Sequence, residues 1–151
     1  MKGSQIVASC KRRDEDDFSH VPLYVAEAIK PYGDLKARTK AYAIQVVHFF
    51  DGLPETRVCF RLGDQILRSG TSIGAHYREA RRARSDAEFI SKLEVLLQEL
   101  DETEYWTEVL RDSGQKIDPA AAARILDETN QLMSIFVTAV KTVKMRKGTK
   151  K

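Results

Sequence analysis

From Asp34 onward, apolar residues recur every three or four positions in four runs, each bounded by residues that start or stop helices. The first run carries Leu35, Ala41, Tyr42, Val46, Phe49 and Phe50, with Asp34 as N-cap and Gly52 and Pro54 as the stop. The second spans about Arg57 to Ala83 and sets Leu62, Ile66, Ile73, Tyr77 and Ala80 on one stripe. At about 1.5 Å per residue it is roughly 40 Å long. The third opens at Ser85, with Glu88 three residues on as in a capping box. It continues through Phe89, Leu93, Leu96, Leu97, Leu100, Thr107 and Leu110 to Ser113 and Gly114. The fourth has Asp118 as N-cap and Pro119 at its first position, and its apolar face is Ile125, Leu132, Met133, Phe136, Val140 and Val143. No strand period or internal repeat competes. Long helices joined by short loops predict an all-α fold, an antiparallel up-down four-helix bundle over residues 34–147.

Residues 1–33 have no sustained period. Lys11-Arg12-Arg13 runs directly into Asp14-Glu15-Asp16-Asp17, and Pro22, Pro31 and Gly33 interrupt any short helix over Tyr24 to Ile29. This segment reads as an N-terminal extension, partly disordered or docked through Val21, Leu23 and Tyr24. Residues 148–151 read as a disordered basic tail.

A chain of 151 residues is long enough for one domain with a real core. The formal charge is only +3 but is unevenly spread. No acidic residue follows Glu128, whereas Lys141, Lys144, Arg146, Lys147, Lys150 and Lys151 do, which favours polyanionic partners. Two cysteines, Cys10 and Cys59, make neither a disulfide framework nor a metal motif. Without a stretch of signal-peptide or membrane-spanning length, the reading is a reduced, cytoplasmic protein with no membrane association.

Three glycines, Gly63, Gly70 and Gly74, lie inside the second helix, where each costs about 1 kcal/mol relative to alanine. Gly70 and Gly74, with Ser69 and Ala75, form a smooth ridge suited to close helix packing within the bundle or between subunits. The rival reading of Ser69-Gly70-Thr71-Ser72 as a phosphate loop lacks the P-loop lysine and a preceding strand.

Glu79 and Glu104 fall on or beside the apolar stripes. A di-metal carboxylate site in a bundle core takes Glu-x-x-His, but Arg82 and Thr107 occupy the third positions here. Pairing with an arginine, Arg68 or Arg78, is the better expectation, and no metal or cofactor is expected. His20, His48 and His76 have no ligand spacing, and no serine or cysteine sits in a nucleophile motif. Tyr105 and Trp106 have faces that stack on bases, but aromatics on an amphipathic helix are more often packing.

Arg78, Arg81, Arg82 and Arg84 form a short cluster at the end of the second helix. Charge runs are usually solvated surface, yet arginine favours bidentate phosphate contacts. Together with Lys141, Lys144, Arg146 and Lys147, the cluster is a candidate nucleic-acid interface.

The combination of Leu67–Ala75 (LRSGTSIGA), Arg78–Ala80 (REA), Ser85–Leu93 (SDAEFISKL) and Glu102–Trp106 (ETEYW) resembles the bundle proteins related to those encoded in intervening sequences of bacterial 23S rRNA genes. The resemblance spans roughly residues 35 to 145. It implies a left-handed antiparallel bundle, often a homopentameric ring with a basic surface. Accessory proteins of diversity-generating retroelements are similar, and these bind nucleic acid and a reverse transcriptase. Most members have no established activity. Carried over by motif, Ser72, Ala75, Glu79, Phe89, Leu93, Glu104 and Trp106 are structural or interfacial, as are Gly70 and Gly74 by packing. His76 stands where asparagine is common, Ala80 where glycine is common, and the extension is longer than the fold needs.

The expected function is a non-enzymatic, bacterial, oligomeric bundle, pentameric by resemblance, that binds RNA or DNA through its basic surface. The alternative is a scaffold that recruits a partner protein without nucleic acid.

Overall fold

A computed structural model of the chain describes residue 26 and residues 29–148, with the side chain of Lys147 outside the description. Among the described residues there are four long helices and no strand: α1 (Leu35–Asp51), α2 (Arg57–Ala80), α3 (Asp86–Asp112) and α4 (Pro119–Gly148). A short 3-10 turn, Lys30–Tyr32, precedes them. Chain neighbours pack along their lengths, and α1 also meets α4 to close the bundle. The docking of Val21, Leu23 and Tyr24 lies outside the described residues, but Ile29 is buried in the core.

The helix ends follow their capping residues. Asp34 accepts a hydrogen bond from the Ala37 backbone N–H at 2.9 Å and so starts α1. Thr56 caps α2 through the Cys59 N–H at 3.1 Å. At α3, Ser85 accepts from the Glu88 N–H at 3.1 Å, while the Glu88 carboxylate reaches the N–H of Arg84 at 2.9 Å, one residue further back than a capping box requires. Asp118 caps α4 through the Ala120 N–H at 3.0 Å. The second helix ends at Ala80, three residues short of the sequence reading. Arg82 and Ala83 donate three residues back, to Glu79 and Ala80, so the chain tightens into a turn.

The core follows the predicted stripes, except that Ala41 is exposed, and it has one addition. Leu35, Val46, Ile66, Ile73, Leu93, Leu96, Leu100, Ile125, Leu132 and Phe136 are buried, and Tyr77 packs on Phe136 with ring centroids 5.5 Å apart. Leu97, read as inward, is half-buried at the edge of this cluster. The addition is a layer of hydroxyls crossing the bundle. Tyr42 of α1 bonds Thr129 of α4 at 2.6 Å, and Ser69 of α2 bonds Thr103 of α3 at 2.7 Å, with all four side chains buried.

The glycines of α2 face α1. A Cβ on Gly70 would stand 2.8 Å from a Val46 methyl, and one on Gly63 would stand 2.7 Å from Leu53. At Gly74 the nearest neighbour, Thr39, would be 3.5 Å away, an ordinary contact. Close approach within the chain therefore accounts for Gly63 and Gly70.

Candidate nucleic-acid interface

Up-down topology places the start of α1, the end of α2, the start of α3 and the end of α4 at one pole. The two basic segments, some sixty residues apart in sequence, meet there. Two ion pairs tie this pole together: Lys92 Nζ to Glu79 Oε2 at 2.7 Å, and Lys144 Nζ to Glu94 Oε1 at 2.6 Å. Arg78, Arg82, Lys141 and Arg146 are exposed and Arg81 is half-buried. Among the described residues Arg78, Arg82 and Lys141 make no ion pair. Arg84 is 91% exposed and lies 3.5 Å from Glu88. Lys147 continues α4 at this pole, though its side chain lies outside the description.

The hydroxyl layer divides the described charges unevenly. On the side of the arginine cluster, residues 29–41, 70–102 and 130–148 carry thirteen Lys and Arg against eight Asp and Glu. On the far side, residues 43–68 and 104–128 carry six against nine. The small net charge therefore conceals an uneven distribution, with an excess of positive charge on the side of the arginine cluster and of negative charge on the far side.

The carboxylates are arranged differently from the sequence reading. Glu79 is exposed and pairs with Lys92, not with an arginine, because the α2–α3 crossing sets Lys92 beside it. The Lys92 ammonium pulls the Glu79 carboxyl below its ordinary range, and the carboxylate raises the lysine in return. Arg68 pairs instead with Glu102, and more distantly with Glu99 at 3.8 Å. Glu104, two residues after Glu102 on α3, is half-buried. His76 Nδ1 lies 3.8 Å from Glu79, and no cluster of His, Cys, Asp or Glu suited to a metal occurs among the described residues.

Tyr105 and Trp106 stack edge to face at 4.9 Å, with Tyr105 exposed and Trp106 half-buried. Both lie beyond the hydroxyl layer from the arginine cluster, so the structure does not bring these aromatics to the basic pole. Lys36 and Lys40, on the first two turns of α1, do join that pole and escaped the sequence reading. Nothing in their spacing distinguishes them until α1 is placed beside α2. Apart from Met145 at the basic pole, exposed apolar residues include Ile44 and Val47 on the outer side of α1, and Val58 and Phe60 on the first turn of α2. No described helix is long and apolar enough to cross a membrane.

Residues 34–138 match the 23S rRNA-intervening sequence protein family. The chain belongs to this family. A solved relative, a protein of unknown function from the S23 ribosomal protein family of Bacteroides thetaiotaomicron, is 36% identical. The match covers 70% of this chain and 94% of that one, with a TM-score of 0.64. No curated protein matches the chain. Family and relative agree with the helical bundle and carry no enzymatic description.

Proposed function

We propose that this bundle is a non-enzymatic, cytoplasmic protein that binds RNA or DNA through its basic pole and acts as a homo-oligomer. The convergence of Arg78, Arg81, Arg82 and Arg84 with Lys141, Lys144, Arg146 and Lys147 on one end of the molecule carries this reading. Oligomerisation draws support from the exposed Ile44, Val47 and Phe60, apolar residues of the kind that copies of a chain bury against one another. In a ring, pentameric as the family resemblance implies, cyclic symmetry sets every basic pole on the same face. Weak phosphate contacts from each copy then add up to useful avidity.

The test is a titration of the full-length protein with short RNA and DNA duplexes and single strands at several salt concentrations, beside light scattering for mass. Binding that falls steeply and linearly on a log–log salt plot supports phosphate neutralisation. No binding at low salt overturns the reading. The same exposed apolar residues would then favour a scaffold that recruits a protein partner.

A further inference from the structure

The end of the bundle opposite the basic pole holds a crevice of about 410 Å³ between the C-terminal turns of α1 and the first turns of α4. Its origin is legible in the chain. Pro119 is followed by four alanines, Ala120 to Ala123, so α4 presents almost no side-chain volume to α1 at this level. Gly52, which follows the last residue of α1, likewise contributes no side chain to the lining. The two helices are held together lower down, where Arg38 bonds Glu128 and Gln131 and Tyr42 bonds Thr129, and the seam is unfilled above those contacts. Phe49, Leu53, Ala121 and Ile125 give the crevice an apolar floor.

Its polar groups are cationic or neutral donors with one exception. Arg124 lines it, one helical turn before Glu128 and on the same flank of α4. That glutamate would be the natural i,i+4 partner, but Arg38 occupies both its oxygens, at 2.6 and 3.0 Å. Asp127 is held by Gln131 at 2.9 Å. Arg124 therefore has no ion pair among the described residues, and it lines the crevice as an exposed side chain. Gln45 and His48 line the α1 side and supply further donors. The exception is Asp118, whose carboxylate caps the α4 N-terminus through the Ala120 N–H.

We infer that this crevice is a binding site for a small amphipathic carboxylate, with its apolar body on Phe49, Leu53 and Ile125 and its head group on Arg124. The volume is that of a drug-sized ligand site. A guanidinium matches a carboxylate through two parallel hydrogen bonds, and the N-terminal end of α4 adds a favourable field for an anion. Asp118 in the lining selects a singly charged head group over a phosphate dianion, which it repels more strongly. The site is separate from the basic pole and needs no nucleic acid.

Titration of full-length, 15N-labelled protein with 4-phenylbutyrate, beside the neutral 4-phenylbutyramide, tests it. The expected result is saturable shifts of the Phe49, Ala121 and Ile125 amides by the acid, with the amide at least about tenfold weaker for want of charge-assisted bonds. Ala121→Leu fills the crevice and should abolish the shifts. Arg124→Gln, an exposed change that leaves the helix intact, should bring the acid down to the level of the amide. The inference is overturned if the acid produces no saturable shift, if its shifts map outside the crevice, or if the neutral probe binds equally well. It is equally overturned if a folded Ala121→Leu or Arg124→Gln variant binds the acid as the parent does.

Discussion

The Tyr42 hydroxyl lies 2.6 Å from Thr129 Oγ1 in the middle of the bundle, and Thr129 in turn donates to the Ile125 carbonyl at 2.6 Å. The threonine proton is thus committed to its own helix, and tyrosine must be the donor between α1 and α4. A buried donor with a fixed acceptor sets the height at which the two helices meet. A slide of one turn would leave the tyrosine hydroxyl unpaired in an apolar core, which is costly.

Tyr42→Phe keeps the ring and removes that donor, while Thr129 keeps its bond to Ile125. The expected loss of stability is about 1 kcal/mol in a denaturant titration. Thr129→Val removes the acceptor 2.6 Å away and leaves the phenol only the Thr103 hydroxyl, so it should cost more. Equal costs would mean that Thr103 replaces Thr129 as the acceptor without loss.

Burial pushes both the Tyr42 and Tyr77 phenols up to about 12. A phenol ionises to an anion, so a folded value above the unfolded one of about 10 favours the folded state while the group is neutral. Their contribution is complete below about pH 10 and falls as pH rises toward 12, where unfolded chains release protons that the native state retains. Each is worth on the order of 2 kcal/mol over that window. Denaturation midpoints between pH 9 and 12 should drop, and the drop should be shallower in the Tyr42→Phe, Tyr77→Phe double variant. An identical drop in both proteins would assign alkaline unfolding to other groups.

The α2 glycines should separate by one substitution each. Gly70→Ala drives a methyl within 2.8 Å of Val46, a β-branched core residue with little room to turn, and should destabilise. Gly74→Ala meets Thr39 at ordinary distance and should stabilise by roughly 0.5–1 kcal/mol through helix propensity. Thermal unfolding of the two variants reads the signs directly. A stabilised Gly70→Ala would show that α1 yields readily.

Periodicity and capping were enough to read α1 to α4, since Asp34, Ser85 and Asp118 each begin a helix by bonding its first N–H groups. Periodicity runs past the end of α2 because Arg81, Arg82 and Ala83 are good helix formers, and only the tightening turn shows that the chain leaves the helix. Partners across helices were not legible. Glu79 meets Lys92 and Arg68 meets Glu102 because of crossing geometry, which no local pattern encodes. Thr103 and Thr129 gave a faint signal, as hydroxyls set within apolar stripes, but their bonding needs the whole bundle.

Polarity of charge, rather than its total, is the property on which nucleic-acid binding rests, and two variants of equal charge isolate it. Replacing Arg78, Arg81, Arg82 and Arg84 with glutamine removes four positive charges from the basic pole. Replacing Arg57, Arg61, Arg111 and Lys116 with glutamine removes four from the opposite half. Glutamine is a comparable helix former, so both variants should keep their circular dichroism. If phosphates bind at the basic pole, the first variant loses affinity and its plot of log affinity against log salt flattens, by about 0.7–0.9 in slope for each phosphate that is no longer neutralised. The second should keep the parent slope, because its charges lie far from the bound phosphates and salt screens them over about 10 Å at 0.1 M. A chain truncated after Val143 removes Lys144, Arg146, Lys147, Lys150 and Lys151 and reports the share of the C-terminal end. Equal losses of affinity in the two glutamine variants would mean that binding follows net charge alone, and the pole would then be no interface.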